Sequence, residues 1–187
     1  MWNIPNLLTL GRIVAVVPLF FCIEAFWWTA AFTIFIAAAL TDLLDGWIAR
    51  RWRLTSEFGR FLDPLADKVI VAGALIALVA VHVIYSNLLV GAVVALVARE
   101  LVVSGIREFL GLKGFVVSVS RLAKWKTATQ LAAITFLMAG GLFRYPSSST
   151  VTNIWSFGAL LLLVSTILAW ITAWGYFRSA RSAMRQQ

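Results

Sequence analysis

The chain has 187 residues, of which 61% are hydrophobic and 13% charged, and its formal net charge is +8. Soluble domains carry about 45–50% apolar and about 25% charged residues, so this composition excludes both a soluble globular fold and a disordered chain. Its one cysteine, Cys22, excludes a disulfide framework and a cysteine zinc site, and its one histidine, His82, excludes most histidine chemistry. The sequence therefore predicts an all-α polytopic membrane protein with a single domain over residues 1–187.

Six stretches are long and apolar enough to be transmembrane helices, which need about 20 such residues each. In chain order they cover residues 6–29, 31–50, 63–82, 86–107, 121–143 and 153–177. The N-terminus has no charged n-region and no small-residue cleavage site, so we expect the first stretch to be a span and not a removable signal peptide.

Arginine and lysine concentrate on one side of this predicted bundle. The second connection, the fourth connection and the C-terminal tail hold nearly all of them, whereas the opposite side offers only Arg144. Cytoplasmic loops of membrane proteins carry an excess of Lys and Arg. We therefore expect the N- and C-termini and both basic connections to be cytoplasmic.

Four aspartates lie at the cytoplasmic ends of the second and third predicted helices: Asp42, Asp45, Asp63 and Asp67. Spacings of three and four residues place each pair on one helix face. The connection between the two helices is short, so all four carboxylates can converge, and unpaired they would repel one another. Two divalent cations would balance the four charges, and an all-oxygen ligand set suits Mg²⁺ or Mn²⁺. The alternative is interfacial salt bridges to nearby bases, which would not need acids in register on both helices.

Small residues accompany the aspartates. Gly46 and Ala49 lie on the same side of the helix as its two aspartates, and Gly59 precedes Asp63 by four residues. Small side chains let a flat or bulky ligand approach the helix backbone. Gly46 could equally be a notch for helix packing.

These residues together form a pattern with fixed spacing: Asp42-x2-Asp45-Gly46-x2-Ala49-Arg50-x8-Gly59-x3-Asp63-x3-Asp67. The pattern resembles in full the signature of the CDP-alcohol phosphotransferases. The resemblance implies the six-helix CDP-alcohol phosphotransferase fold and transfer of a substituted phosphate group from a CDP-activated donor to an alcohol. It also implies release of CMP and a requirement for two divalent metal ions, Mg²⁺ or Mn²⁺.

The same resemblance implies roles for individual residues. The four aspartates hold the metal ions, and Asp67 also accepts the proton of the attacking hydroxyl. The residues expected to line the pocket for the cytidine nucleotide are Gly46, Ala49, Arg50 and Gly59. The residues expected to hold the donor phosphates are Asn6, Thr9 and Arg12 on the first helix.

Three further segments are similar to the phosphatidylglycerophosphate synthases, a bacterial branch of that family: Asn3-Ile4-Pro5-Asn6-x-Leu8-Thr9-x2-Arg12, Arg99-Glu100-x3-Ser104-Gly105-Ile106-Arg107-Glu108 and Lys124-x-Lys126-Thr127-x2-Gln130. Ala123 departs from the glycine expected before the first lysine. This similarity implies CDP-diacylglycerol as donor, sn-glycerol 3-phosphate as acceptor, and a homodimer in the bacterial cytoplasmic (inner) membrane. The active site would face the cytoplasm, in contact with membrane lipid and with no nucleic-acid partner.

An anionic acceptor needs cations that the aspartates do not already use. Four bases flank the fourth connection, on the same predicted membrane side as the aspartates: Arg107, Arg121, Lys124 and Lys126. A phosphate held by them would gain charge-assisted hydrogen bonds. The general cytoplasmic excess of bases is the alternative explanation. Arg99 and Glu100, deeper in the fourth helix, are expected to form a buried structural pair.

Three other functions stay open from the sequence. The same family with serine, inositol phosphate or phosphatidylglycerol as acceptor is one. An ion or proton transporter is the second. Acids at the midplane and repeated halves would favour a transporter, and neither feature is apparent in the sequence. A catalytically silent membrane scaffold is the third, and the complete aspartate set argues against it.

Overall fold

The computed structural model describes residues 4–52, 57–112, 121–142 and 149–185. Within these ranges the protein is all-helical, as predicted, and has six helices: α1 Ile4–Glu24, α2 Trp28–Trp52, α3 Glu57–Ala80, α4 Asn87–Leu112, α5 Arg121–Leu142 and α6 Ser149–Arg185. Each one overlaps a predicted span. α2 and α6 extend beyond the predicted range at both ends, α3 begins before its predicted range, at Glu57, and α4 continues to Leu112.

The predicted end of the first helix is wrong, because the range 6–29 contains a break. α1 ends at Glu24, and Phe26 takes the left-handed conformation with φ 59°. The backbone N–H of Trp27 donates to the carbonyl oxygen of Cys22 at 2.8 Å, which satisfies a carbonyl that the helix end leaves without a partner. The chain then turns and starts α2.

The predicted end of the third helix, in the range 63–82, is wrong for the same reason. α3 ends at Ala80, and His82 is left-handed with φ 58°. The N–H of Val83 donates to the carbonyl oxygen of Leu78 at 3.0 Å. Both helix ends have the hydrogen bonds of a Schellman motif, with a residue other than glycine at the left-handed position.

The chain forms two compact units, of which the first comprises Met1–Ile84 and Ile134–Trp155. In this unit α1 packs against both α2 and α3. Its fully buried apolar side chains include Leu19, Ile23, Phe35, Leu75, Leu78, Leu137 and Met138. The indole N–H of Trp155 donates to the carbonyl oxygen of Val83 at 2.8 Å and so fixes the turn that follows α3.

The second unit comprises Tyr85–Ala133 and Ser156–Gln187. It contains α4, the first part of α5 and most of α6. α4 and α6 are joined by two apolar clusters, one of Val103, Ala173 and Tyr176 and one of Leu110 and Ala180, with Ile106 packed against both.

Large apolar side chains cover much of the outer surface. Exposed examples on α1, α4 and α6 are Leu7, Val14, Phe21, Leu88, Val94, Leu101, Ile167, Ile171 and Trp174. Stretches of the same three helices, Asn6–Glu24, Asn87–Gly111 and Val151–Arg178, are long and apolar enough to cross a membrane. Helices with such surfaces satisfy their backbone groups internally and suit a lipid environment. The protein is therefore a membrane protein.

Candidate active site

Two aspartates on different helices meet the same turn of α1. The hydroxyl of Thr9 donates to Oδ1 of Asp63 on α3 at 2.8 Å. The guanidinium Nη1 of Arg12 donates to Oδ1 of Asp42 on α2 and forms an ion pair with it. Thr9 and Arg12 are three residues apart and lie on one face of α1. α1 therefore bonds one carboxylate of α2, Asp42, and one carboxylate of α3, Asp63, and the convergence of all four aspartates stays a prediction.

The donors on α1 are buried, whereas the carboxylates are accessible. Thr9 is fully buried and Arg12 is 3% exposed. The side chain of Asp42 is 44% exposed, Asp63 is exposed and Asp67 is half-buried. Buried hydrogen-bond donors can fix the orientation of a carboxylate, and a carboxylate has further lone pairs that can accept a ligand.

The ligand set offered here consists of carboxylate oxygens alone, which is the type that Mg²⁺ and Mn²⁺ prefer and that zinc does not need. Among the described side chains, which do not include that of Asp45, no three Asp, Glu, His or Cys side chains are grouped closely enough to hold an ion together. The described part of the site thus contributes suitable ligands from α2 and α3. The chemistry of these residues fits a hard divalent cation.

Several predicted site residues lie where the structure describes only the backbone. Asp45, Gly46, Ala49 and Arg50 belong to α2 and Gly59 belongs to α3. The surroundings of their side chains lie outside the described residues, as do those of Arg121 at the start of α5. Asn6, on α1, is described and is 5% exposed.

The predicted phosphate-binding bases differ from one another in exposure. Arg107 on α4 and Lys124 on α5 are exposed. Lys126 is 7% exposed, and its Nζ donates to Oε1 of Glu100 at 2.7 Å. Two of these bases are therefore directly available to a solute, and the third is held by an acidic partner inside the second unit.

The expected pair of Arg99 and Glu100 is present and belongs to a larger network. Arg99 Nη1 donates to Glu100 Oε1 at 2.9 Å, and its Nε donates to the carbonyl oxygen of Ala169 on α6 at 2.8 Å. Its Nη2 donates to the hydroxyl of Thr172 at 2.7 Å. Charged groups in a membrane helix need partners of this kind, because an isolated charge in an apolar medium is costly.

The link between Glu100 and Lys126 was missed by the sequence analysis. The two residues are 26 positions apart and lie on different helices, α4 and α5. The only signal was the near-equal depth of one acid and one base in two adjacent predicted spans. The direct bonds of Thr9 and Arg12 to aspartates were missed in the same way, because both residues were assigned to the donor phosphates.

Comparison with known proteins identifies the family of this chain. The family model described as CDP-alcohol phosphatidyltransferase matches residues 2–177. A protein of Cereibacter sphaeroides named CDP-diacylglycerol–glycerol-3-phosphate 3-phosphatidyltransferase is 34% identical over 223 aligned positions, which cover 100% of this chain and 99% of the relative.

Two plant proteins are similar over most of this chain and a smaller part of their own length. One of Arabidopsis thaliana, named CDP-diacylglycerol–glycerol-3-phosphate 3-phosphatidyltransferase 1, is 42% identical over 89% of this chain and 59% of the relative. One of Oryza sativa subsp. japonica, named cardiolipin synthase (CMP-forming), is 40% identical over 89% of this chain and 54% of the relative. The match of the family model spans nearly the whole chain and contains the paired aspartates, and the protein belongs to the CDP-alcohol phosphatidyltransferase family.

Proposed function

We propose that this protein transfers a phosphatidyl group from CDP-diacylglycerol to sn-glycerol 3-phosphate, giving phosphatidylglycerophosphate and CMP. The observation that carries the proposal is that Asp42 of α2 and Asp63 of α3 both bond residues in one turn of α1. The name of the bacterial relative, which aligns over the full chain, supports this choice of donor and acceptor. The reaction is a step of phospholipid biosynthesis.

The metal ligands in this proposal are the four aspartates of the motif: Asp42, Asp45, Asp63 and Asp67. They would hold two divalent ions, Mg²⁺ or Mn²⁺, which when bound offset the charge of the donor diphosphate and of the departing CMP. Thr9 and Arg12 keep Asp63 and Asp42 in place from their buried positions on α1. Their hydrogen bonds orient the carboxylates before a ligand arrives, so these side chains lose less conformational entropy when the ligand binds.

The chemical step is a displacement at the β-phosphorus of the donor. The acceptor hydroxyl oxygen forms a bond to this phosphorus, the bond from phosphorus to the CMP oxygen breaks, and CMP leaves with the electron pair. Asp67, half-buried on α3, accepts the hydroxyl proton. A loose transition state needs little early deprotonation, so the orientation of the hydroxyl by Asp67 contributes more than its basicity.

The residues that surround the aspartates in sequence are proposed to line the donor pocket. The cytidine nucleotide lies against Gly46, Ala49, Arg50 and Gly59, and the donor phosphates lie near Asn6, Thr9 and Arg12. Small residues are suited to a planar base that approaches the helix backbone closely. The guanidinium of Arg12 has a planar fork of donors that matches phosphate oxygens, and one of its end groups, Nη1, is bonded to Asp42.

The acceptor phosphate is proposed to bind four bases: Arg107, Arg121, Lys124 and Lys126. Bonds between such cations and a phosphate are charge-assisted and are about twice as strong as neutral hydrogen bonds. Serine has no phosphate and would offer these bases only its carboxylate. Phosphatidylglycerol is a second candidate acceptor. The rice relative is named cardiolipin synthase (CMP-forming), and phosphatidylglycerol also carries a phosphate that these bases could bind.

The proposal includes six transmembrane spans in one domain over residues 1–187, with both termini cytoplasmic. Helices α2, α3 and α5 have 25, 24 and 22 residues, which is sufficient for a span of about 20 residues. The distribution of Lys and Arg supports the orientation. The active site then faces the cytoplasm in a bacterial inner membrane, where water-soluble CMP and glycerol 3-phosphate meet lipid tails. A homodimer is proposed from the family resemblance.

Competition between acceptors tests the choice of glycerol 3-phosphate. Purified protein with CDP-diacylglycerol and Mg²⁺ is supplied with glycerol 3-phosphate, serine, inositol phosphate or phosphatidylglycerol, and the lipid product is identified by mass spectrometry. We expect phosphatidylglycerophosphate to be the main product when all four acceptors are present. Cardiolipin as the main product would contradict the proposal and identify phosphatidylglycerol as the acceptor.

A further inference from the structure

The cluster of Arg99, Glu100 and Lys126 combines two positive charges with one negative charge. A single oxygen, Oε1 of Glu100, accepts from Arg99 Nη1 at 2.9 Å and from Lys126 Nζ at 2.7 Å. All three side chains are largely buried, and that of Glu100 is 14% exposed. An ion pair has no net charge, whereas these three side chains together carry one positive charge in excess.

Glu100 is itself held in place from α6. The guanidinium of Arg99 donates to the carbonyl oxygen of Ala169 at 2.8 Å and to Thr172 Oγ1 at 2.7 Å. The Thr172 hydroxyl in turn donates to the same carbonyl oxygen at 2.8 Å. These bonds leave the guanidinium little freedom to rotate, and its remaining end group points to Glu100. The Arg99 guanidinium that contacts the Glu100 carboxylate is therefore anchored to α6.

Lys126 needs such a constraint more than an arginine would. Its ammonium is a compact charge on a flexible four-carbon stem, so the stem alone does not define where the charge lies. The ammonium has three N–H donors, of which the bond to Glu100 engages one. A carboxylate at one side of the ammonium therefore orients the other donors without using all of them.

We propose that Glu100 is a positioning residue that fixes the ammonium of Lys126 for the phosphate of the acceptor. This inference rests on the proposed function, since it assumes an acceptor with a phosphate group. α6 fixes Arg99, Arg99 fixes Glu100, and Glu100 fixes Lys126. The excess positive charge of the cluster is balanced when the anionic acceptor binds.

The test separates position from charge with two substitutions at one residue. Glu100→Asp keeps the negative charge but withdraws the carboxylate by one methylene, so it no longer reaches Lys126. We expect the KM for glycerol 3-phosphate to rise about tenfold, with kcat and the KM for CDP-diacylglycerol changed less than about twofold. Glu100→Gln keeps the length and one acceptor oxygen, and the expected rise is smaller, about threefold.

Binding is measured independently of turnover. Glycerol 3-phosphate should raise the melting temperature of the wild-type protein in detergent, because a ligand that binds the folded state stabilises it. Glu100→Asp should require about tenfold more glycerol 3-phosphate for the same rise. Glu24→Asp is the matched control, since the same change at an exposed glutamate at the end of α1 should alter neither measurement.

A milder variant covers the case in which Glu100→Asp does not fold. Thr172→Val removes one anchor of Arg99 and leaves all three charges in place, and we expect the KM for glycerol 3-phosphate to rise about threefold. Thr172→Ser, which keeps the hydroxyl, should restore the wild-type value.

The outcomes distinguish this inference from the proposed function. Unchanged KM in both Glu100→Asp and Thr172→Val would overturn the inference, and so would a larger effect of Glu100→Gln than of Glu100→Asp, since that points to charge alone. In both cases glycerol 3-phosphate-dependent turnover by the wild type would leave the proposed function intact. Wild-type turnover that does not respond to glycerol 3-phosphate would overturn both.

Discussion

Thr9 and Arg12 are polar side chains buried in the first apolar helix, and each bonds an aspartate of another helix. Burying such groups without partners would be costly, so their presence in a span indicates a function. The spacing of the aspartates predicts that carboxylates of two helices converge, and two of the four, Asp63 and Asp42, bond α1 in the structure. The spacing was not sufficient to predict these bonds, because Thr9 and Asp63 are 54 positions apart and no local pattern links them.

Thr9→Val should weaken the response to Mg²⁺. The substitution keeps the side-chain shape but removes the hydroxyl that donates to Asp63, and a hydrogen bond to a charged group contributes about 1.5–3 kcal/mol. We expect the Mg²⁺ concentration for half-maximal CMP release, at saturating CDP-diacylglycerol, to rise about tenfold. Thr9→Ser keeps the donor and should behave as wild type. An unchanged Mg²⁺ response of Thr9→Val would show that Thr9 does not orient this ligand.

At the level of the helices, the sequence did not predict where α1 and α3 end. The apolar stretches located the helices, but both ends carry a residue with positive φ, Phe26 and His82, where glycine is the usual signal. An apolar aromatic residue at such a position looks like a continuation of the span. The start of α4, in contrast, has a common sequence signal. The hydroxyl of Ser86 accepts from the N–H of Leu89 at 3.3 Å and caps the N-terminus of the helix.

Helix packing makes one glycine of α5 sensitive to substitution. A Cβ at Gly141 would lie 2.7 Å from Cζ3 of Trp28, a buried ring on α2, whereas a Cβ at Gly91 of α4 would meet nothing within 4 Å. We expect Gly141→Ala to destabilise the protein by about 1–3 kcal/mol through overpacking. Gly91→Ala should be neutral or stabilising by up to about 1 kcal/mol. Thermal unfolding in detergent compares them, and equal melting temperatures would contradict this packing.

At the scale of the whole molecule, the distribution of basic residues determines the predicted orientation. The C-terminal part of α6 carries exposed Arg178 and Arg181, and the turn between α3 and α4 carries no Lys or Arg. Membrane insertion responds to this asymmetry. Composition was therefore sufficient to predict a membrane protein, and the orientation stays a prediction from the charge distribution. The bonds inside each unit were not predictable, since they depend on which helix faces meet.

Labelling with a membrane-impermeant thiol reagent tests this orientation. Cys22 is the single cysteine of the chain, so Cys22→Ser gives a background without thiols. In intact bacterial cells made permeable only at the outer membrane, we expect Tyr85→Cys to be labelled and Arg178→Cys to be protected until the inner membrane is disrupted. Labelling of Arg178→Cys before Tyr85→Cys would reverse the proposed topology.

The proposed function rests on the claim that the paired aspartates catalyse phosphatidyl transfer to glycerol 3-phosphate. The most direct measurement is CMP release by the purified protein with CDP-diacylglycerol and Mg²⁺, with and without glycerol 3-phosphate, for wild type, Asp67→Asn and the exposed control Glu24→Gln. We predict release that requires glycerol 3-phosphate, persists in Glu24→Gln and falls by at least about a hundredfold in Asp67→Asn. A folded wild-type protein that releases no CMP with any acceptor, or Asp67→Asn with wild-type activity, would contradict the claim.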